Sequence, residues 1–148
     1  MSDRDRTLVA IQATLGLAFG VNWLRSQEAV SLPWHVASWT ALATGGSVGA
    51  IALWQLRRSF RVAPTPRRDG RLVTHGIYGF LRHPMYTSVV LVVLGLALVR
   101  PDALVLGSAL VNLLFYLGKA RYEEGLLLDH YPGYAAYRRR TIGVLPGW

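Results

Sequence analysis

Residues 87–118 read TSVVLVVLGLALVRPDALVLGSALVNLLFYLG. Two apolar runs, Thr87 to Val99 and Ala103 to Gly118, are separated only by Arg100, Pro101 and Asp102. Lipid offers no hydrogen-bond partner to an open backbone, so runs of this kind enter a bilayer as helices. Pro101 ends the first helix and Asp102 caps the second. The stretch therefore predicts a tight helical hairpin, and the far ends of its two helices, near residue 84 and beyond residue 118, become neighbours.

Two further apolar runs precede it, Thr7 to Leu24 and about Trp34 to Leu56. Each approaches the roughly 20 residues that span a bilayer as a helix. The run at 87–99 is shorter. It spans only if its helix begins around Pro84 and Arg100 snorkels at the far end. Arg4 and Arg6 give the first run the look of a signal peptide. Its length, Asn22 at its end and the lack of a small-residue cleavage site before Arg25 favour a retained span. The second run contains ALATGGSVGA, which sets Ala41, Gly45 and Gly49 on one face. That spacing suits close helix approach in lipid, including a possible homodimer. No strand precedes it, which argues against a phosphate-binding glycine loop.

The 148 residues make one domain, 52% hydrophobic and only 16% charged, against roughly 25% charged in an average soluble domain. Cysteine is absent, which excludes disulfides, thiolate metal sites and a thiol nucleophile, and no metal site is expected. The net charge is +8, and 15 of the 16 basic residues are arginine. A nucleic-acid partner is not expected, because the arginines cluster around the apolar runs. Arg57, Arg58, Arg61, Arg67, Arg68, Arg71 and Arg82 lie between runs two and three. Lys119, Arg121 and Arg138 to Arg140 follow run four. The remaining two connections carry one arginine each. The positive-inside rule then predicts four spans with both termini cytoplasmic, in a bacterial inner membrane. The expected architecture is an all-α membrane bundle with spans at 7–24, 34–56, 84–99 and 103–118, and a cytosolic helical extension over 119–148. From Ala103 to Asp129 nothing breaks a helix outright, so the fourth helix projects beyond the lipid. Trp23, Trp34, Trp54 and Trp148 are read as interface anchors.

Chemistry concentrates where the hairpin's open end lies. One set, in GIYGFLRHPMY (76–86) and just before it, is Thr74, His75, Gly76, Tyr78, Arg82, His83 and Tyr86; the other is Lys119, Arg121, Tyr122, Glu123 and Glu124. Pro84 suits a first helical turn, so free N–H groups, Arg82 and His83 together make an anion site. A carboxylate at Glu123 or Glu124 suits an ammonium, and Tyr78, Tyr86 and Tyr122 offer ring faces to a base or a cation. Glu123 and Glu124 point roughly 100° apart on a helix. Lys119, one turn earlier, suits Glu123, which leaves Glu124 as the preferred contact for the ammonium. S-adenosylmethionine carries all these groups. A carboxylate acceptor of its methyl group needs an arginine to hold it, Arg82 or Arg138. An amine acceptor needs a base, His83 or a glutamate. Each residue also has a plainer reading. Arg82 can snorkel to lipid phosphate, His75 can be a loop histidine, and His35 lies far from the rest. Tyr131, Tyr134, Tyr137 and Arg138 to Arg140 can anchor the tail at the interface, although Arg138 or Tyr137 can also close the pocket. Asn112 is expected to bond a neighbouring helix.

The segment GIYGFLRHPMY, the hairpin, YEEGLLLDHYPGYAAYRRR and the terminal LPGW resemble the isoprenylcysteine carboxyl methyltransferase family and its phospholipid N-methyltransferase relatives. The resemblance covers residues 71–148. It implies a membrane enzyme that uses S-adenosylmethionine on a lipid-soluble acceptor reached from the surrounding membrane lipids. It places the cofactor between the Arg-His-Pro helix start and the Glu-Glu helix, with His75, Gly76, Tyr78, His83, Pro84, Tyr86, Glu123 and Glu124 as its contacts. Arg82, His83 and Arg138 are the expected catalytic residues. The chain departs from the family at Thr87, at His130–Tyr131 and in TIGVLP, which lacks a Pro-Arg pair; the last bears on the acceptor more than the cofactor. An NADPH-dependent membrane reductase and a non-enzymatic four-helix membrane protein, binding haem through His75 or His83, are the alternatives.

Overall fold

The structure is a computed structural model and describes residues 2–27, 32–56, 65–66 and 72–147. Among the described residues its helices are α1 (Asp3–Arg25), α2 (Leu32–Leu56), α3 (Pro84–Val99), α4 (Ala103–His130) and α5 (Tyr134–Arg138), with a 3₁₀ turn at Gly76–Gly79. Among the described residues there is no strand, only a lone parallel bridge between Leu81 and Ile142. Among the described residues, three helices are long and apolar enough to cross a membrane: α1, residues 34–56 of α2, and α4. The equally apolar α3 has 16 residues. The arginines from Arg57 to Arg71 and the terminal Trp148 lie outside the described residues.

The hairpin forms as its sequence dictates. Asp102 caps α4, its Oδ1 accepting the N–H groups of Leu104 at 2.7 Å and Val105 at 3.3 Å. From there α4 runs unbroken for 28 residues through Gly118 and Gly125, about 42 Å at 1.5 Å per residue. The helix expected to continue past Gly118 to Asp129 does so and ends at His130.

Arg100 does not snorkel. Its guanidinium turns back onto α1, donating to the carbonyls of Trp23 at 3.1 Å and Ser26 at 2.9 Å. It also lies 4.4 Å from the centroid of the Trp23 ring. The last carbonyls of a helix lack intrahelical donors and carry partial negative charge, which makes them a natural seat for a cation. Trp23 is fixed in turn by its Nε1–H, which donates to the Leu96 carbonyl at 2.8 Å. It is a packing residue rather than an interface anchor; Trp34 and Trp54 are exposed. Phe19, Ala97 and Val105 form the small core that these contacts enclose.

The small-residue stripe of α2 is used inside the chain. The Ser88 hydroxyl of α3 donates to the Gly45 carbonyl at 2.7 Å, and the Ser38 hydroxyl of α2 donates to the Gly95 carbonyl at 2.7 Å. A Cβ on Gly45 would sit 2.9 Å from Leu91 Cβ, and one on Gly49 would collide with Ser88 Oγ. Because α3 covers this face, a homodimer would have to use another. On the other side of the bundle α1 packs on α4. Asn112 Nδ2 reaches the Leu15 carbonyl at 3.4 Å, the interhelical bond expected of it.

Gly45 and Gly46 are neighbours with opposite surroundings, since a Cβ on Gly46 meets nothing within 4 Å. Gly45→Ala is expected to destabilise the detergent-solubilised protein by about 1–3 kcal/mol through overpacking. Gly46→Ala should leave its thermal midpoint unchanged or higher. Equal midpoints for the two variants would contradict the α2–α3 packing.

Candidate functional site

The two polar sets meet. His83 is the N-cap residue of α3 and Pro84 opens its first turn. Glu123 and Glu124 lie on α4 one turn beyond Lys119 and Ala120. Glu124 is the centre of the meeting. Its Oε1 accepts from Arg82 Nε at 2.7 Å and lies 3.2 Å from His83 Nε2. Its Oε2 lies 3.0 Å from Arg138 Nε. Arg82, His83 and Glu124 are all buried, so the Arg82–Glu124 ion pair is sequestered from water and its two charges depend on one another.

Arg82 is therefore not a snorkelling arginine. Its Nη1 donates to the Arg138 carbonyl at 3.0 Å and to the Thr141 carbonyl. The tail wraps around it as a strap. Arg82 N–H donates to the Ile142 carbonyl at 2.7 Å, and Ile142 N–H to the Phe80 carbonyl at 2.8 Å. Thr87 Oγ1 donates to the Val144 carbonyl at 3.0 Å and Tyr137 Oη to the Tyr78 carbonyl at 2.6 Å. Tyr134, Tyr137 and Val144 are buried beneath the strap. The tail tyrosines Tyr134 and Tyr137 are thus core residues and not interface anchors. Sequence patterning misses this because the aromatic-and-arginine composition of an anchor and of a buried clasp is the same. Burial raises the Tyr78 hydroxyl above the usual phenol range and pushes Tyr137 up to about 12, so both remain protonated. The Tyr134 hydroxyl is buried and has no hydrogen-bond partner among the described residues.

Glu123 faces elsewhere. Its Oε2 accepts from Tyr86 Oη at 2.7 Å and lies 3.7 Å from His83 Nδ1. The Tyr86 ring stacks on His83, with centroids 5.4 Å apart and planes 5° from parallel. On its other side it meets Tyr116 at 5.3 Å. Lys119 Nζ lies 5.3 Å from the Tyr86 centroid and bonds Gln12 of α1. The Glu123 side chain is 24% exposed and that of Glu124 only 5%.

The nest of free N–H groups expected at the start of α3 is smaller than the sequence suggests. Tyr86 and Thr87 N–H both turn to the His83 carbonyl at 3.0 Å. Two of the expected contacts stand apart from the cluster. His75 is exposed. Gly76, at φ +60°, makes room for the Gln55 side chain, whose Oε1 accepts the Ile77 N–H at 2.9 Å. Gln12, Gln55, Tyr116 and Thr141 complete the surroundings, and none carries a local sequence signal; each is recruited by long-range packing.

Among known proteins, residues 29–133 match the family model for phospholipid methyltransferases. Two curated relatives are similar. The cobalt-zinc-cadmium resistance protein CzcN of Cupriavidus metallidurans is 37% identical over 81 residues, 54% of this chain and 38% of the relative. The nickel-cobalt-cadmium resistance protein NccN of Alcaligenes xylosoxydans xylosoxydans is 32% identical over 107 residues, 72% of this chain and 50% of the relative. The chain thus spans half or less of the length of these relatives. No solved structure matches. The family segment contains α2, α3, α4 and both polar sets, and leaves out α1 and the strap from Tyr134 onward.

Removing one member of a buried ion pair strands the other, which costs about 3–5 kcal/mol. Arg82→Met is expected to lose an amount of that order in denaturant or thermal unfolding, and Glu124→Gln a smaller amount. The double variant should lose less than the sum, with a coupling of at least about 1 kcal/mol. Strict additivity would show that the pair is not formed.

Proposed function

The chain belongs to the phospholipid methyltransferase family, a family that includes isoprenylcysteine carboxyl methyltransferase-like proteins; from that premise we propose that it is a membrane-embedded, S-adenosylmethionine-dependent methyltransferase acting on a lipidic acceptor. One observation carries the reading: the Arg-His-Pro start of α3 and the acidic pair of α4 lie within hydrogen-bond reach of each other, with an aromatic stack beside them. In this reading α3 is a fourth span, and the hairpin brings the site to the inner boundary of lipid and water, on the side of both termini.

The donor set fits the cofactor's functional groups. Glu123, partly exposed and accepting a hydrogen bond from Tyr86, suits the ammonium. Arg138, with its side chain half exposed, suits the carboxylate. The Tyr86–Tyr116 pair beside the carboxylates supplies aromatic surface that suits a flat base or a sulfonium. The buried Tyr134 hydroxyl is a donor in want of a partner. When bound, S-adenosylmethionine supplies an electrophilic methyl group. The chain's own residues position and shield. Glu124 holds Arg82, His83 and Arg138 in register, the strap over Arg82 keeps water from that side, and His83 is fixed between two carboxylates. The ammonium contact thereby falls to Glu123 rather than Glu124, whose oxygens are already engaged.

Isothermal titration of S-adenosylmethionine into the detergent-solubilised protein should give saturable heat. Glu123→Ala is expected to weaken affinity at least about tenfold, the worth of one charge-assisted hydrogen bond. No heat with the folded wild-type protein, or unaltered affinity in both Glu123→Ala and His83→Ala, overturns the reading. Methyl transfer from labelled cofactor into a membrane lipid extract, followed by mass spectrometry, identifies the acceptor.

A further inference from the structure

Lys119 and Glu123 stand one helical turn apart on α4, the spacing at which a lysine closes onto a glutamate. Both are held against the same tyrosine. The Lys119 ammonium lies 5.3 Å from the centroid of the Tyr86 ring, and Glu123 Oε2 accepts from the Tyr86 hydroxyl at 2.7 Å. One phenol thus carries the cation over its face and the carboxylate at its edge. On the α1 side the ammonium is held by Gln12, whose Oε1 accepts from Lys119 Nζ.

Between Asp3 and Phe19 the less exposed positions of α1 are Asp5, Leu8, Val9, Gln12, Leu15 and Phe19, which share the face turned to α4. Gln12 is the amide in that stripe. An amide packed between helices costs free energy unless it is hydrogen-bonded, and the Lys119 ammonium supplies the bond. Asp5, two turns earlier on the same face, is fully buried. Its charge and that of Glu123 both act on Lys119. The ammonium is therefore answered from two sides: from α1 by Gln12 and Asp5, and from α4 by Glu123. A lysine stem is flexible enough for its head to shift between them. In a region of low dielectric, whatever share of Glu123 the lysine takes is lost to a ligand's cation.

Resting on the methyltransferase reading, we infer that Gln12 is a positioning residue: it draws the Lys119 ammonium toward α1 and so keeps the Glu123 carboxylate open to the ammonium of the cofactor. Gln12 itself touches no ligand. When the cofactor engages Glu123, Lys119 keeps Gln12 beside it and Asp5 as a counter-charge, so no buried cation is stranded. The helix that makes this adjustment, α1, lies outside the family-matched segment.

The test compares the whole wild-type chain in detergent with Gln12→Leu, Gln12→Glu, Lys119→Met and the double variant Gln12→Leu/Lys119→Met. The first readout needs no cofactor. A water-soluble carbodiimide with glycinamide, followed by peptide mass spectrometry, should place glycinamide on Glu123 in the wild type. In Gln12→Leu that adduct should be lost to an isopeptide bond between Lys119 and Glu123, seen as a peptide lighter by one water. The second readout is S-adenosylmethionine affinity by titration calorimetry. Gln12→Leu should bind about tenfold more weakly, the worth of one charge-assisted contact. Gln12→Glu, which still holds the ammonium, should keep the wild-type affinity or exceed it. The double variant should regain the wild-type affinity, because the competing cation is gone. A merely structural role for Gln12 predicts a loss that persists in the double variant, and that outcome overturns the proposal. So does wild-type affinity in Gln12→Leu. If Gln12→Leu does not fold, Lys119→Met decides: it should bind at least as tightly as the wild type, and weaker binding overturns the proposal. A folded wild-type protein that crosslinks as expected but takes up no S-adenosylmethionine keeps the Gln12–Lys119 hold and loses the methyltransferase reading. One that binds the cofactor, with the Glu123 adduct unchanged in Gln12→Leu, loses only this inference.

Discussion

The carboxylate of Glu124 ties together three segments that are far apart in the chain. Arg82 and His83 precede α3, Glu124 lies in the last third of α4, and Arg138 ends α5. Buried ion pairs are poor sources of net stability, because desolvation offsets most of the attraction. Their strength lies in specificity: a misplaced partner leaves a bare charge in a dry interior. Here that penalty fixes the register of the hairpin's open end and holds the strap closed. Arg82 also satisfies the carbonyls of Arg138 and Thr141. One guanidinium therefore settles the charge of the cluster and the backbone polarity of the segment that covers it.

The bundle is secured by polar contacts at both ends because apolar packing alone cannot align helices in lipid, where hydrocarbon competes equally for every surface. At the hairpin turn Arg100 and Trp23 fasten α1 to the α3–α4 connection. At the other end Lys119 and Gln12 fasten α1 to α4, with Asn112 between them. Ser38 and Ser88 do the same for α2 and α3 through glycine carbonyls. Each of these donors would be unpaired if its helix slid or turned, so a few hydrogen bonds select one arrangement from many of similar packing energy.

What the sequence disclosed follows from which features are local. The Arg-Pro-Asp turn, Pro84 at the start of α3 and the spacing of Gly45 and Gly49 act within a few residues, and each does in the structure what its chemistry implies. The meeting of His83 with the acidic pair was legible too, because a hairpin converts local geometry into a long-range contact. The extent of α4 was legible as well: between Ala103 and Asp129 only Gly118 and Gly125 weaken a helix and nothing breaks it. The strap was opaque. A Tyr- and Arg-rich tail has the composition of a membrane anchor, and only Arg82's buried donors reveal that its carbonyls are needed inside. Arg100 misled for a related reason. An arginine at a helix end can reach lipid phosphate or a neighbouring helix's carbonyls, and the choice depends on where α1 ends in space.

Adjacent acids on one helix point in different directions, and α4 thereby gives its two carboxylates different surroundings; in the proposed reading they divide two tasks that conflict. A carboxylate that organises a site should be saturated and immobile; one that receives a ligand's cation must keep capacity to spare. Glu124 turns into the bundle and is bracketed by two guanidinium groups and an imidazole. Glu123 turns toward Tyr86 and stays partly open. His83 stands between them, close to one oxygen of each, so the position of the open carboxylate is set through the closed one. In the proposed reading a single acid could not serve both ends, because engaging a ligand would loosen the knot that shapes the site; two consecutive glutamates supply one carboxylate fixed by Arg82 and Arg138 and one that accepts from Tyr86.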